Sequence, residues 1–314
     1  MNKPSTQLLT LLLTVLAVLP AGTTCAKEAV ASETPTFRIA SYNINYGNPN
    51  LRGVVAAIRQ ADADVVALQE TNRASERYLR RHLRKLYPHS RFEHRPRAGG
   101  FAFLSKVPLR NVRYLPRSKG WYGTYVATVN LAGRDIQLVN VHLKPTVPRE
   151  GEEMVAFLAR WTREGGIRRA EAVHILETLG GKTPLVLLGD FNSLPSSSVA
   201  TYVKRRRLTD SYETATPPDK REHTWHWTVD GIDWSFRLDY IYHAAAMVTR
   251  TCRIIRGKGS DHDLLVSTLA WAPAHVAGTD ADTAADTRPS VTDTPDTPAK
   301  SEPPTTTPPA PKEL

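Results

Sequence analysis

Cysteine is almost absent from this 314-residue chain, which carries only Cys25 and Cys252. A disulfide framework or a thiolate zinc ribbon needs more, so stability must come from burial. Long apolar runs are missing too. The longest, Leu8 to Leu19, has twelve residues, short of the roughly 20 that span a bilayer, so no stable membrane span is expected. No internal repeat is visible. Acid is not in excess, because 41 Lys+Arg face 31 Asp+Glu for a formal charge of +10. What is present, 41% apolar and 23% charged residues, excludes a fibrous or wholly disordered chain. The positive balance favours anionic partners such as nucleic acid, phosphorylated metabolites or acidic membrane surfaces, without choosing among them.

The two ends differ from the middle. Lys3, the Leu8–Leu19 run, Pro20 and the small residues after it read as a secretory signal peptide over residues 1–26. Cleavage is expected after Ala26, or after Ala31 behind the small-x-small pattern Ala29, Val30, Ala31. Either cut removes Cys25. Gly22 and Thr24 poorly match the apolar and small positions that lipid anchoring at Cys25 would require, so a secreted or periplasmic protein is expected. From Pro273 to Leu314 there are nine Pro and nine Thr, no aromatic residue, and seven acids against three bases. Such a tail (273–314) cannot bury a core and is expected to be disordered. The remaining residues 27–272 suit one large domain, expected as a monomer, and carry 37 basic against 24 acidic residues.

Within that domain, Phe37–Asn45 alternates at period two and predicts a strand, followed by a helix over Leu51–Ala61. "ADVVALQE" predicts a buried strand ending at Gln69 and Glu70. Ser75–Leu86 predicts a basic helix, and "GGFAFLSKVP" a strand stopping before Pro108. Tyr125–Leu131 and Ile136–Leu143 predict a hairpin. Met154–Leu179 predicts a helix interrupted near Gly165 and Gly166, and "TPLVLLGDFN" another strand. Hairpins mixed irregularly with helices argue against an alternating Rossmann order.

"HTWHWTVDGIDWSFRLDYIY", His223–Tyr242, carries more information. An Asp230-Gly231 turn pairs Val229 with Ile232, Trp227 with Trp234 and Trp225 with Phe236. Those six side chains then share one face with Leu238, expected to pack on the core, and Asp239 falls on the polar face. A slip of one residue would scramble the separation.

Residues able to do chemistry sit where apolar runs stop: Asn43, Glu70, His142, Asp190 with Asn192, Asp239, and Asp261 with His262. Strand ends held by a core are where rigid sites are built. Together the motifs "SYNINYG", "ALQE", "GGFAFLSK", "VNVHLKP", "LLGDFNS", "RLDYIY" and "GSDHDLL" resemble the endonuclease/exonuclease/phosphatase family, the DNase I-like group. The resemblance covers about residues 37 to 270, with "SDH" some 70 residues after "GDFN".

This resemblance implies an α/β fold of four layers, two mostly antiparallel sheets face to face with helices outside. It also implies divalent-metal-dependent cleavage of phosphoesters. Carried over residue by residue, Glu70 matches the principal metal ligand, with Asn43 and Asp261 near the metal. Asp190 and Asn192 match the pair that orients nucleophile and phosphate. His262 matches the histidine paired with an aspartate, here Asp239, and His142 matches a second histidine that contacts phosphate. The chemistry is consistent: a phosphodiester resists attack until its charge is neutralised, and hard oxygen donors suit Mg²⁺ or Mn²⁺ better than zinc. His262 can take a proton from water while Asp239 fixes its tautomer, and a protonated His142 can stabilise the pentacovalent phosphorane. Family members often hold a phosphate with an arginine before the "VHL" hairpin. Here "PRSKGWYGTYV" offers Arg117 or Lys119 for substrate binding, neither securely aligned.

For substrate, the basic runs Arg77–Arg97 and Lys204–Arg207 favour DNA or RNA. The alternative is a sphingomyelinase-like phospholipid or inositol phosphate hydrolase, motivated by three of the six tryptophans lying between Trp225 and Trp234. A catalytically silent fold is disfavoured by the completeness of the residue set. Cys252 reads as a small core hydrophobe.

Overall fold

The computed structural model describes residues 34–273 apart from 180, 182 and 230. The expected signal peptide, Cys25 and both cleavage points lie outside the described residues. So do the tail beyond Pro273 and the Asp230 half of the expected turn.

Along the chain the strands are β1 (Thr36–Asn43), β2 (Val65–Gln69), β3 (Arg91–Glu93), β4 (Phe101–Ser105), β5 (Leu109–Leu115), β6 (Thr124–Leu131) and β7 (Arg134–His142). There follow β8 (Leu185–Asp190), β9 (Leu208–Asp210), β10 (Trp225–Val229), β11 (Ile232–Phe236), β12 (Asp239–Ala244), β13 (Met247–Ile255) and β14 (Leu264–Trp271). One six-stranded sheet has the order β13-β14-β1-β2-β4-β3 and the other β5-β6-β7-β8-β12-β9. Each is antiparallel except for one pair near its middle, β1 with β2 and β7 with β8.

Period-two alternation builds the layers. From β1 and β4, Ile39, Phe101 and Phe103 face Ala127, Leu138, Leu188 and Ile241 of the second sheet, forming the core between the sheets. The alternate residues Ala40, Tyr42, Val66 and Leu104 face outward, onto α1 (Leu51–Ala61) and α2 (Arg73–Leu83). Val139, Val141, Leu187 and Tyr242 likewise meet α3 (Met154–Thr178) and α4 (Ser198–Arg205) on the far side. The result is the expected four-layer sandwich. At one edge of the inner core, Gln69 Nε2 donates to Asn140 Oδ1 at 2.7 Å, and Asn140 Nδ2 donates to Leu68 O at 3.0 Å. Leaving such buried amides unpaired would cost about 1–3 kcal/mol each, so this link fixes how the sheets meet beneath the site.

Four expectations need correction. Helix α2 starts at Arg73 rather than Ser75, because the Asn72 side chain accepts from Ala74 N and Ser75 N in a capping box. Helix α3 runs unbroken through Gly165 and Gly166. Glycine costs a helix about 1 kcal/mol per residue, and packing of Phe157, Trp161, Ala172 and Ile175 on either side holds it. The hairpin register is as expected, but β10 and β11 form a separate two-stranded sheet. Its apolar face is only partly covered: Trp225 and Trp234 are buried with Phe157, Trp161 and Leu238, while Trp227 and Ile232 are 38% and 52% exposed. Asp239 is not a continuation of that hairpin. It opens β12, in the second main sheet, opposite Asp190.

Candidate active site

The catalytic-type residues sit on the two parallel pairs at the middle of the sheets. In register, Asn43 ends β1 beside Gln69 of β2, and His142 ends β7 beside Asp190 of β8. Glu70 follows with φ 61, a left-handed backbone that turns its carboxylate back toward Asn43. Asn43 Nδ2 bridges the sheets, donating to Glu70 Oε1 at 2.9 Å and Asp190 Oδ2 at 3.1 Å. Glu70 Oε2 accepts Tyr46 N at 2.8 Å. Ahead of Asp190, Gly189 has φ 138, and a Cβ there would run into Val141 O, so only glycine lets β8 lie this close to β7. Asp190 Oδ1 accepts Asn192 N at 2.8 Å, and Asn192 Nδ2 donates to Leu143 O.

His262 enters from the turn before β14. Its Nδ1 lies 2.8 Å from Asp239 Oδ2 and its Nε2 3.6 Å from Asp190 Oδ2. Thr224 Oγ1 accepts from the Leu238 and Asp239 N–H groups and fixes the start of β12. Burial alone would lower the pKa of His262, but the Asp239 and Asp190 carboxylates outweigh it and hold the imidazole well above its ordinary value. His142 is equally buried. Its Nε2 lies 3.7 Å from Glu70 Oε1 and 3.6 Å from Asp190 Oδ2, its Nδ1 faces Ala98 O at 3.3 Å, and its ring stacks on Tyr122 at 4.4 Å. Burial pushes its pKa down. Burial also raises Asp190 and Glu70.

Asp261 completes the cleft, its Oδ1 accepting from Asn45 Nδ2 and Ser260 Oγ and its Oδ2 from Trp225 Nε1 at 3.1 Å. Glu70, His142, Asp190, Asn192, Asp261 and His262 line a cleft of about 540 Å³ with Trp121, Tyr122, Trp161, Trp225 and Trp227, while Asn43 and Asp239 are buried outside its lining.

A divalent cation fits the Glu70 side. Among the described residues no Lys or Arg pairs with Glu70, whose carboxylate meets one amide, one backbone N–H and His142. A partly buried carboxylate left so short of positive charge suits an oxygen-ligated cation. Asp190, Asp239 and His262 also bring one ligand atom each within 4.8 Å of one another. There, however, Nδ1 of His262 is already engaged by Asp239, and the carboxylates favour its charged form, which has no lone pair for a metal. That trio is built to hold a proton.

All eight expected catalytic and metal-site residues therefore converge. Arg117 and Lys119 do not join them: Arg117 lines a neighbouring cleft and Lys119 is exposed and lines neither. The same "PRSKGWYG" stretch instead contributes Trp121 and Tyr122. Sequence reasoning also missed Asn45 and Thr224. Asn45, inside "SYNINYG", carried a signal; nothing local marks Thr224.

Fold and site define a phosphoester hydrolase with a candidate divalent-cation site. The family model for the endonuclease/exonuclease/phosphatase family matches residues 40–262, and the chain belongs to that family. Similar solved structures include the human Nocturnin catalytic domain with bound sulfate, at 21% identity and TM-score 0.58, covering 76% of this chain and 96% of that one. A D. rerio TDP2 complexed with single-strand DNA product has 17% identity and TM-score 0.58, covering 74% and 98%. A functionally unknown conserved protein from Enterococcus faecalis V583 has 20% identity and TM-score 0.58, covering 75% and 100%. No curated protein matches the chain. At these identities the neighbours establish the fold. Among the described residues no helix is long and apolar enough to cross a membrane.

Proposed function

We propose that the protein is a nuclease that hydrolyses phosphodiester bonds of DNA or RNA by in-line attack of water, outside the cytoplasm once residues 1–26 are removed. The observation that supports it most is the His262–Asp239 contact at 2.8 Å, with His262 lining the same cleft as the oxygen donors Glu70 and Asp261 and the buried Asn43 bonded to Glu70. With Nδ1 committed to Asp239, proton traffic at His262 passes through Nε2, which faces Asp190 Oδ2 at 3.6 Å. Asp190 Oδ2 accepts the proton of the attacking water, and the His262 imidazolium beside it stabilises the ionised carboxylate beforehand. Asp190 and Asn192, tied to each other and to the end of β7, orient the nucleophile and the phosphate. His142 approaches the phosphate from the Tyr122 side. Glu70, Asn43 and Asp261 would hold Mg²⁺ or Mn²⁺, which would supply charge neutralisation to the phosphodiester when bound. A panel of plasmid DNA, RNA, sphingomyelin vesicles, inositol phosphates and bis-p-nitrophenyl phosphate with metal titration tests the reading. Salt-sensitive cleavage of DNA or RNA is expected, and no cleavage of either under Mg²⁺ or Mn²⁺ removes it.

A second reading, a phospholipid hydrolase, is favoured by one observation. Val147, Met154, Val155, Leu158, Trp227 and Ile232 are all exposed on the cleft loop, on the first turns of α3 and on the hairpin, and α3 packs on the hairpin through Phe157 and Trp234. An apolar rim of this kind can enter a bilayer interface. Liposome binding lost on Trp227→Ser with the fold intact would support it.

A further inference from the structure

The two basic runs of the sequence end in different places. Lys204–Arg207 closes α4 and lines none of the clefts beside the site, with Lys204 paired to Glu213. The other run reaches the active site. Beyond the Trp121–Tyr122 pair, which lines the catalytic cleft, the same two residues also line a second cleft of about 760 Å³ containing Arg95, Arg97, Arg117 and Tyr114. Through Arg95 and Pro96 that cleft meets a third, of about 550 Å³, containing Arg73 and Arg77. No carboxylate lines the second or the third.

The partition between the clefts is itself part of the catalytic wall. Ala98 lines the catalytic cleft and accepts from His142, while Arg97 and Gly99, its neighbours, line the second cleft. Arg97 has φ 52, a conformation that costs a non-glycine residue of order 1–3 kcal/mol unless its surroundings impose it. Arg95 is held in place over the Tyr114 ring at 3.8 Å and by Glu93. Arg117 is exposed and makes no ion pair among the described residues. Trp121, 54% exposed, stands edge-on to Tyr122 at the junction.

We propose, on the nuclease reading above, that these clefts carry an unpaired polynucleotide strand away from the scissile phosphate. A base stacks on Trp121, successive phosphates meet Arg95, Arg97 and Arg117, and the path continues toward Arg73 and Arg77. Arginines track the backbone and an exposed ring offers a face to any base. A duplex, whose bases stack on one another, leaves that ring unused. The substrate is therefore a single strand or a frayed end rather than closed duplex.

The test compares turnover of a short single-stranded oligonucleotide, its blunt duplex and bis-p-nitrophenyl phosphate by the full chain and by Arg95→Gln/Arg97→Gln and Trp121→Ala. The readout is the ratio of kcat/KM on the oligonucleotide to that on the small diester, with the circular-dichroism spectrum of each variant reporting that it is folded. In the double variant this ratio is expected to fall tenfold or more, and the slope of log(kcat/KM) against log salt to become shallower by about 0.7 per arginine removed. Trp121→Ala is expected to lower the ratio roughly five- to hundredfold, and the wild-type enzyme to prefer the single strand. An unchanged ratio, an equal loss on the small diester, or preference for closed duplex overturns the strand path while leaving the hydrolase reading intact. Sphingomyelin vesicles turned over with the same dependence on Arg95 and Arg97 would assign the groove to lipid and overturn it as well. A wild-type enzyme that turns over no phosphodiester removes the hydrolase reading and the strand path together.

Discussion

Two buried histidines share one carboxylate and are treated oppositely. His142 and His262 each place Nε2 3.6 Å from Asp190 Oδ2, yet burial lowers the pKa of one while neighbouring carboxylates raise that of the other. The difference lies at Nδ1. For His262 it meets the Asp239 carboxylate; for His142 it meets the Ala98 carbonyl, with Tyr122 covering the ring. A carboxylate stabilises an imidazolium far better than a carbonyl dipole does. The partner behind the ring, rather than the group in front of it, decides which histidine holds the proton.

Removing that partner is the sharpest way to break the contrast. Asp239→Asn keeps the hydrogen bond but not the charge, leaving His262 in the position of His142, and should lower kcat by about 10³- to 10⁴-fold with an unchanged circular-dichroism spectrum. A loss below tenfold would show that the pair does not handle the proton. His142→Gln keeps a polar group near the phosphate and should cost less, about 10²-fold, the scale of one lost transition-state contact; a loss equal to that of Asp239→Asn would erase the distinction. Tyr122→Leu, which removes the ring over His142, should cost only several-fold in kcat, since packing rather than charge is lost, and a steady-state assay beside the other two variants would show the order.

A smaller effect extends the comparison to acids. Glu171 of α3 is buried, and burial raises its pKa to about 7, opposed by the Lys144 N–H and the Arg168 charge. Unlike Asp190, whose carboxylate faces His142 and His262, it meets Lys144 and Arg168. Because its folded pKa lies above the unfolded value, the folded state binds more protons between them. Stability should then fall as pH rises from about 4.5 to 7, by up to about 3 kcal/mol from this group. Glu171→Gln should flatten that part of the profile in thermal unfolding at a series of pH values.

Much of this was legible in the sequence, for reasons that differ by residue. Asn43, Glu70, His142 and Asp190 end apolar runs, and strands in register carry such ends to one edge. The pairing of Trp225 with Phe236 followed from the two faces of the hairpin. Asp239 was placed on the right side for the wrong reason, since alternation was carried through Arg237 and Leu238, where the chain in fact leaves one sheet for another. Periodicity reports faces and cannot report which sheet a strand joins. The expected burial of Trp227 and Ile232 failed similarly, because an apolar face does not specify a partner. Tyr122 and Trp121 escaped because a loop has no period; of the two nearby charges singled out instead, Arg117 lines the neighbouring cleft and Lys119 lines neither.

The central claim is that water, activated by the His262–Asp190 pair, attacks phosphorus in a phosphodiester. Turnover of bis-p-nitrophenyl phosphate with Mg²⁺ or Mn²⁺ in oxygen-labelled water tests it directly. The label should appear in the p-nitrophenyl phosphate product and not in p-nitrophenol, with turnover abolished in His262→Ala. Label in the phenol, or undiminished turnover without His262, would contradict it.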